Sequence, residues 1–243
     1  MILAIDGTNQ VHILWHAQSG TGVIAALRNR LAALQARIKP SRTVVCFDRR
    51  SFRHDIYPDY KAQRKPKDEG LLRDLDDAQQ ALADRARIVA VEGFEADDCL
   101  ASLAHQTEEQ VILASSDKDL RQCLVAGRVT ILKEFSTYAG EIVKLDWYNA
   151  DRLFAEFHLR PEQWIDFQAL VGDASDNVPG CRGWGPVVSG RALKARGSLQ
   201  AILDNPLAVK TSAKQYVALL AFRDQAALMR RLVTLRTDVP LKS

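Results

Sequence analysis

Four short apolar runs, at residues 2–5, 43–47, 88–91 and 111–114, are each followed closely by carboxylates. The carboxylates are Asp6 after the first run, Asp48 after the second, Glu95, Asp97 and Asp98 after the third, and Asp117 and Asp119 after the fourth. The runs are short and rich in β-branched residues, and a fifth lies at 129–132. They read as buried strands. Between them, residues 21–38 place Val23, Ile24, Leu27, Leu31, Leu34 and Ile38 at helical spacing, and residues 71–87 and 97–106 also read as helices. Strands alternating with helices predict an α/β fold with a mostly parallel sheet covered on both faces. Ligands bind such sheets at the C-terminal edge of the strands, where these carboxylates fall.

The strand signal stops near residue 146. Residues 147–157, 161–171, 186–196 and 212–232 read as helices. The expected division is therefore an α/β core over residues 1–158 and a helical subdomain over 159–243. Residues 49–70 are basic, contain Pro58 and Pro66 and lack periodicity. This segment is expected to form a long loop or a helical arch reaching to about residue 75, and loops of that length are usually functional.

A hydrophobic fraction of 47% and a charged fraction of 26% fit a globular chain with a core and exclude disorder. No apolar stretch reaches the ~20 residues of a membrane span. The N-terminus lacks the basic and cleavage regions of a signal peptide. Cys46, Cys99, Cys123 and Cys181 are far apart and form no Cys-x-x-Cys pair, which fits a reducing cytoplasm and argues against a zinc ribbon. The net charge of +3 conceals its distribution. Residues 37–67 carry +7, residues 182–243 carry +8, and residues 68–181 carry −13. Basic regions of this kind can grip a polyanion, and an acidic centre between them needs bound cations.

Asp173 and Asp176, three apart in Gly172-Asp173-Ala174-Ser175-Asp176-Asn177, bring the candidate carboxylates to nine. That spacing suits one face of a helical turn. Taken singly, each carboxylate has an ordinary explanation as a helix cap or dipole partner. Their repetition after successive strands favours a shared role. Carboxylates crowded at one edge must raise their pKa values or bind cations, and an all-oxygen set selects Mg²⁺ or Mn²⁺. The histidines (His12, His16, His54, His105 and His158) stand apart from these clusters. Asp6-Gly7-Thr8 matches part of the Asp-x-Asp-Gly-Thr signature of haloacid-dehalogenase-type phosphatases, but the nucleophile position holds Ala4, which cannot attack phosphorus. No P-loop is present.

In the basic segment, Arg53, Tyr60, Lys61, Arg64, Lys65 and Lys67 interleave cations with an aromatic ring, which suits phosphate contact and base stacking. Pro179-Gly180-Cys181-Arg182-Gly183-Trp184-Gly185-Pro186 precedes a helix start, a ready phosphate site with Arg182 and Arg191 close by.

Together these residues resemble the bacterial and phage 5′-nuclease (flap endonuclease) family, in particular the 5′→3′ exonuclease domain of DNA polymerase I. The resemblance is carried, in order, by Asp6-Gly7-Thr8, Val45-Cys46-Phe47-Asp48, Ser51-Phe52-Arg53-His54, Tyr60-Lys61-Ala62-Gln63-Arg64, Glu95-Ala96-Asp97-Asp98, Ser116-Asp117-Lys118-Asp119, residues 166–180 and Thr237-Asp238-Val239-Pro240-Leu241. It implies a PIN-like α/β core, a basic arch and a helix–three-turn–helix subdomain. It implies metal-dependent hydrolysis of DNA phosphodiesters at 5′ ends and flap junctions, in replication or repair. One metal cluster would comprise Asp6, Asp48, Glu95, Asp97 and Asp98, and a second Asp117, Asp119, Asp173 and Asp176. Lys61 and Arg64 would be catalytic, and Arg53, Tyr60, Lys61, Arg64, Arg182, Gly183, Gly185 and Arg191 would bind DNA. A K⁺ site would use the backbone carbonyls of Leu170, Val171, Pro179, Cys181 and Trp184. The implied partners are flap DNA and a DNA polymerase, with the chain itself a monomer. One departure is Pro186-Val187-Val188, which stands where the family has an acidic residue and Lys-Thr. The alternatives are a PIN-type ribonuclease and a non-catalytic binder of DNA structures.

Overall fold

A computed structural model describes residues 1–241. In chain order the elements are β1 Ile2–Asp6, α1 Gly7–Ala17, α2 Val23–Ile38, β2 Arg42–Cys46, α3 Arg53–Ile56, α4 Glu69–Leu82, β3 Arg87–Val89, α5 Ala96–His105, β4 Val111–Ala114, β5 Val129–Tyr138 and β6 Glu141–Tyr148. Helices follow: α6 Ala150–Phe157, α7 Trp164–Val171, α8 Pro186–Arg196, α9 Leu199–Asp204, α10 Ala213–Phe222 and α11 Ala226–Val233. None of these helices is long and apolar enough to cross a membrane.

The chain divides into two compact units. The first comprises residues 1–52, 65–149 and 235 onward, and the second residues 53–64 and 150–234. This differs from a single cut after residue 158. The first part of the basic segment groups with the helical unit, and the C-terminal strap groups with the sheet unit.

In the first unit six strands form one sheet in the order β3-β2-β1-β4-β5-β6. All pairings are parallel except β5 with β6. Ile2, Leu3, Ala4, Val44, Val45, Leu113 and Ala114 are buried, as continuous apolar runs in a two-face-covered sheet must be. Leu14, Leu27, Leu31, Leu34, Leu71 and Leu82 pack from the helices onto Leu3, Ile5 and Val45. At ~25 cal/mol per Å² each such side chain contributes on the order of 2 kcal/mol. The strap returns to α5, where Ser102 Oγ donates to Arg236 O (3.0 Å) and accepts from Val239 N (3.1 Å).

β6 and α1 were not evident in the sequence pattern. β6 is an edge strand with Val143 and Trp147 partly exposed, so no apolar run marks it. α1 begins Gly7-Thr8-Asn9-Gln10, a polar first turn that hides its buried face.

The second unit is helical apart from turns. The expected helix at 212–232 is two helices, α10 and α11, interrupted at residues 223–225. Ser212 caps α10 with a capping box to Gln215. Trp164 stacks on Phe167 at 4.9 Å between centroids, and Phe157 meets both edge-on. Asp166 is buried but satisfied, accepting from Leu199 N (2.8 Å) and Arg230 Nε (2.6 Å).

Candidate active site

Because β3, β2, β1 and β4 are adjacent and parallel, their C-terminal ends deliver carboxylates to one edge of the first unit. Local geometry anchors each of them. Asp6 is the N-cap of α1, and its Oδ1 accepts from Asn9 N at 2.9 Å. Its Oδ2 accepts from Ser115 Oγ at 2.9 Å, and the same hydroxyl accepts from Asp117 N at 3.2 Å. Asp48 Oδ1 accepts from Ala96 N at 2.9 Å, while Asp48 N donates to Thr8 Oγ1 at 2.9 Å. Asp97 Oδ1 accepts from Asp98 N, and Asp117 Oδ1 from Asp119 N, each at 2.8 Å. Asp98 is fully buried, and both its oxygens take backbone N–H groups, from Arg236 (2.9 Å) and Glu95 (3.2 Å).

This carboxylate edge is electrostatically costly. Burial, then the neighbouring Asp48 and Asp117 charges, push Asp6 up to about 7, despite the opposing hydrogen bonds from Asn9 and Ser115. Burial, followed by Asp98, Asp97 and Asp48, pushes the Cys99 thiol to about 12. Burial raises Cys46 and Cys123 as well, with Asp6 contributing at Cys46 and Asp97, Asp119 and Asp98 at Cys123. A divalent cation would relieve this excess of negative charge. Carboxylate oxygens of Glu95, Asp97 and Asp98 lie within 4.8 Å of one another, and the group contains no His or Cys. Hard-oxygen ligation by Mg²⁺ or Mn²⁺ fits this donor set.

In the second unit, Asp173 and Asp176 occupy a turn after α7 rather than a helical turn. Asp173 and Val178 exchange backbone hydrogen bonds of 2.7 and 2.8 Å across it. Gly172 and Gly180 flank the turn in left-handed conformations (φ +79° and +63°), and a Cβ on either would lie 2.5 Å from backbone of the other strand of the turn. Asp173 Oδ1 accepts from Ser175 N (2.9 Å) and Ser175 Oγ (2.6 Å). Asp176 meets the basic segment. Its Oδ1 accepts from Arg64 Nη2 at 2.6 Å, its Oδ2 accepts from the Tyr60 hydroxyl at 2.9 Å, and Lys61 Nζ lies 3.6 Å from Oδ2.

Two of the residues expected at DNA are buried. Arg53 is 1% exposed and donates to the Leu232 (2.8 Å) and Thr234 (2.9 Å) carbonyls, so it ties α3 to the end of α11. Tyr60 is buried against His54, its hydroxyl committed to Asp176, so its ring offers no stacking surface in this state. By contrast, Arg182, Gly183, Gly185 and Arg191 are exposed, and Arg191 also donates to Lys210 O. Pro186 opens α8 with Val187 81% exposed, so an apolar side chain heads this helix. Trp184 is buried, its Nε1 donating to Gln215 O. Of the expected K⁺ carbonyls, Leu170 O accepts from Cys181 N, Cys181 O from Trp184 N and Trp184 O from Ser189 Oγ. Each retains a second lone pair.

Ser115, Asn9 and Ser175 orient carboxylates and Thr8 fixes the Asp48 backbone. In the sequence, Thr8 and Ser175 are marked only as members of motifs, and Ser115 and Asn9 are not marked at all. Their only signal is a small polar residue within three positions of an acidic one.

A family model described as 5'-3' exonuclease, N-terminal resolvase-like domain, matches residues 1–157, and one described as 5'-3' exonuclease, C-terminal SAM fold, matches residues 159–243. Thermostable DNA polymerase I of Thermus aquaticus is 34% identical over 257 residues, covering 99% of this chain but 29% of the polymerase. The chain thus spans less than a third of that relative. Flap endonuclease Xni of Pectobacterium atrosepticum is 31% identical over 252 residues, covering 99% of this chain and 91% of the relative. Among solved structures, a zinc-bound T5 5'-exonuclease superposes with a TM-score of 0.82 at 23% identity, over 97% of this chain and 90% of that one. A bacteriophage T5 flap endonuclease with DNA and metal ions gives 0.80 at 24% identity, over 97% and 89%. These structures share the fold, a resolvase-like, PIN-type α/β domain joined to a helical SAM-like domain. With its two domains matched along the whole length, this chain belongs to the 5'-3' exonuclease family.

Proposed function

We propose that the chain is a metal-dependent, structure-specific 5′-nuclease that hydrolyses DNA at 5′ ends and flap junctions. One observation carries this reading: four adjacent parallel strands end in anchored carboxylates, and Asp6 among them is pushed up to about 7. We assign Asp6, Asp48, Glu95, Asp97, Asp98, Asp117 and Asp119 of the first unit, and Asp173 and Asp176 of the second, to binding Mg²⁺ or Mn²⁺. When bound, such ions polarise the phosphate and lower the pKa of a coordinated water.

The chain's own residues have separable tasks. Ser115 orients the Asp6 carboxylate and the Asp117 turn through one hydroxyl. Thr8 fixes the backbone of Asp48. Asp98, with both oxygens on N–H groups, holds the start of α5 against the strap and so positions Glu95 and Asp97. Lys61 and Arg64 supply positive charge for the transferring phosphate. Arg182, Arg191 and the backbone at Gly183 and Gly185 track duplex phosphates, with K⁺ at the neighbouring carbonyls as an additional cation. The T5 flap endonuclease with DNA and metal ions and the polymerase relatives support flap DNA as substrate and a DNA polymerase as partner. The chain is expected to act as a monomer.

The test is cleavage of a 5′-labelled DNA flap, with and without Mn²⁺, beside the same flap made of RNA. Metal-dependent release of the DNA flap near its junction is expected. Preferential cleavage of the RNA flap, or tight binding without cleavage in either metal, overturns the proposal.

A further inference from the structure

Asp176 and the basic segment form a dense contact within the second unit. Beyond the Tyr60, Lys61 and Arg64 contacts to its carboxylate, Lys61 N donates to Asp176 O at 3.0 Å. Gln63 Nε2 donates to Ala174 O (2.8 Å) and Ser175 O (3.3 Å), and Arg64 Nε donates to Ser175 O (3.2 Å). Asn177 Nδ2 donates back to Asp59 O at 2.8 Å. Lys61 and Asn177 both hold left-handed backbone (φ +56° and +59°), uncommon for residues with side chains. The carboxylate side chain of Asp176 is 13% exposed. Two cations and a hydroxyl therefore occupy a carboxylate assigned above to metal, and the same two cations are those assigned to the phosphate.

We propose that docking of residues 59–64 and divalent-metal binding at Asp176 are competing states. A dication at this carboxylate meets one donor already seated on each oxygen, Arg64 Nη2 on Oδ1 and the Tyr60 hydroxyl on Oδ2. It also repels an ammonium 3.6 Å from the same oxygen and a guanidinium at 2.6 Å. Metal loading thus frees Lys61 and Arg64 from their internal counter-ion and makes them available to the substrate phosphate. In the metal-free protein the segment is latched, with Lys61 and Arg64 sharing one internal counter-ion. This couples substrate grip to metal occupancy, and it rests on the assignment of Asp176 to metal binding.

The test reads metal binding and segment dynamics without turnover. Mn²⁺ titration by calorimetry defines the binding class that disappears in Asp176→Asn. Arg64→Gln removes a competing cation and should tighten that class about fivefold, the equivalent of roughly 1 kcal/mol. Arg64 is half exposed, so the variant folds. Amide hydrogen exchange at Lys61 and Arg64 should accelerate about tenfold or more in Mn²⁺ in the wild type, and be insensitive to Mn²⁺ in Asp176→Asn. Unchanged or weaker Mn²⁺ binding by Arg64→Gln, or slower exchange in Mn²⁺, overturns the competition. Absence of any Asp176-dependent class in the wild type, with an Asp6-dependent class present, overturns this inference and leaves the carboxylate edge of the first unit standing. Absence of both classes overturns the metal reading itself.

Discussion

Replacing Asp6 with Asn should stabilise the metal-free protein at pH 8 and reduce its stabilisation by metal. The Asp6 carboxyl is raised from 3.8 to about 7 by burial and by Asp48 and Asp117. The folded state therefore holds this proton more tightly than the unfolded chain. Its contribution is complete below pH ~4 and is lost as pH rises through the folded value near 7. About three units of difference at 1.36 kcal/mol each sets a ceiling of ~4 kcal/mol lost above neutrality. Asn carries no charge to lose. It keeps an acceptor for Asn9 N–H and can donate to Ser115 Oγ, so at most about 1 kcal/mol of hydrogen bonding is forfeited. The expected net gain is ~1–3 kcal/mol at pH 8, which for a chain this long is several degrees of Tm, and none at pH 4.5. Thermal unfolding after chelation, at both pH values and with Mn²⁺ restored, checks all three parts. Equal destabilisation at the two pH values, or a metal-induced rise in Tm as large in the variant as in the wild type, would refute the reasoning.

Four further outcomes follow from named contacts. Ser115→Ala removes a hydrogen bond to the ionised Asp6 and should cost ~1 kcal/mol while moving the acidic limb of the flap-cleavage pH profile upward; an unmoved limb contradicts the role given to Ser115. Arg53→Ala removes hydrogen bonds to one buried and one part-buried carbonyl and should cost ~1–3 kcal/mol in denaturant unfolding, with flap affinity under native conditions unchanged; a stable variant with weakened DNA binding would place Arg53 at the DNA surface. Gly180→Ala forces a Cβ to within 2.5 Å of Gly172 N and should destabilise by more than ~2 kcal/mol and abolish the Asp176-dependent Mn²⁺ class. Val187→Lys, at an 81% exposed position, should leave stability within ~0.5 kcal/mol of wild type, tighten flap binding and steepen its salt dependence by about one phosphate contact, read in a salt titration.

The placement of the candidate carboxylates was legible in the sequence because a parallel sheet gathers the C-terminal ends of its strands at one edge. The carboxylates following β1, β2, β3 and β4 needed only the strand pattern to be gathered there, and the chain's local chemistry identified most of the helices. Composition likewise pointed to carboxylates rather than His or Cys as candidate ligands. Elements whose amphipathicity is weak were not legible: α1 starts in polar residues, and β6 is a half-exposed edge strand paired antiparallel to β5. The fate of individual polar side chains was decided by partners distant in the chain. Arg53 looked like its basic neighbours, yet the Leu232 and Thr234 carbonyls, about 180 residues away, bury it. Asp98 looked like Asp97, yet backbone N–H groups of Glu95 and Arg236 also hold both its oxygens, so it braces the strap as well as facing the candidate metal site. Tyr60, Lys61 and Arg64 looked like a solvent-facing strip, yet Asp176 claims all three. Periodicity and motif report which residues can reach an edge, since they depend on neighbours in sequence. Whether a charge faces water, substrate or an internal counter-ion is set by desolvation and by long-range hydrogen-bond partners, which exist only once the chain has folded.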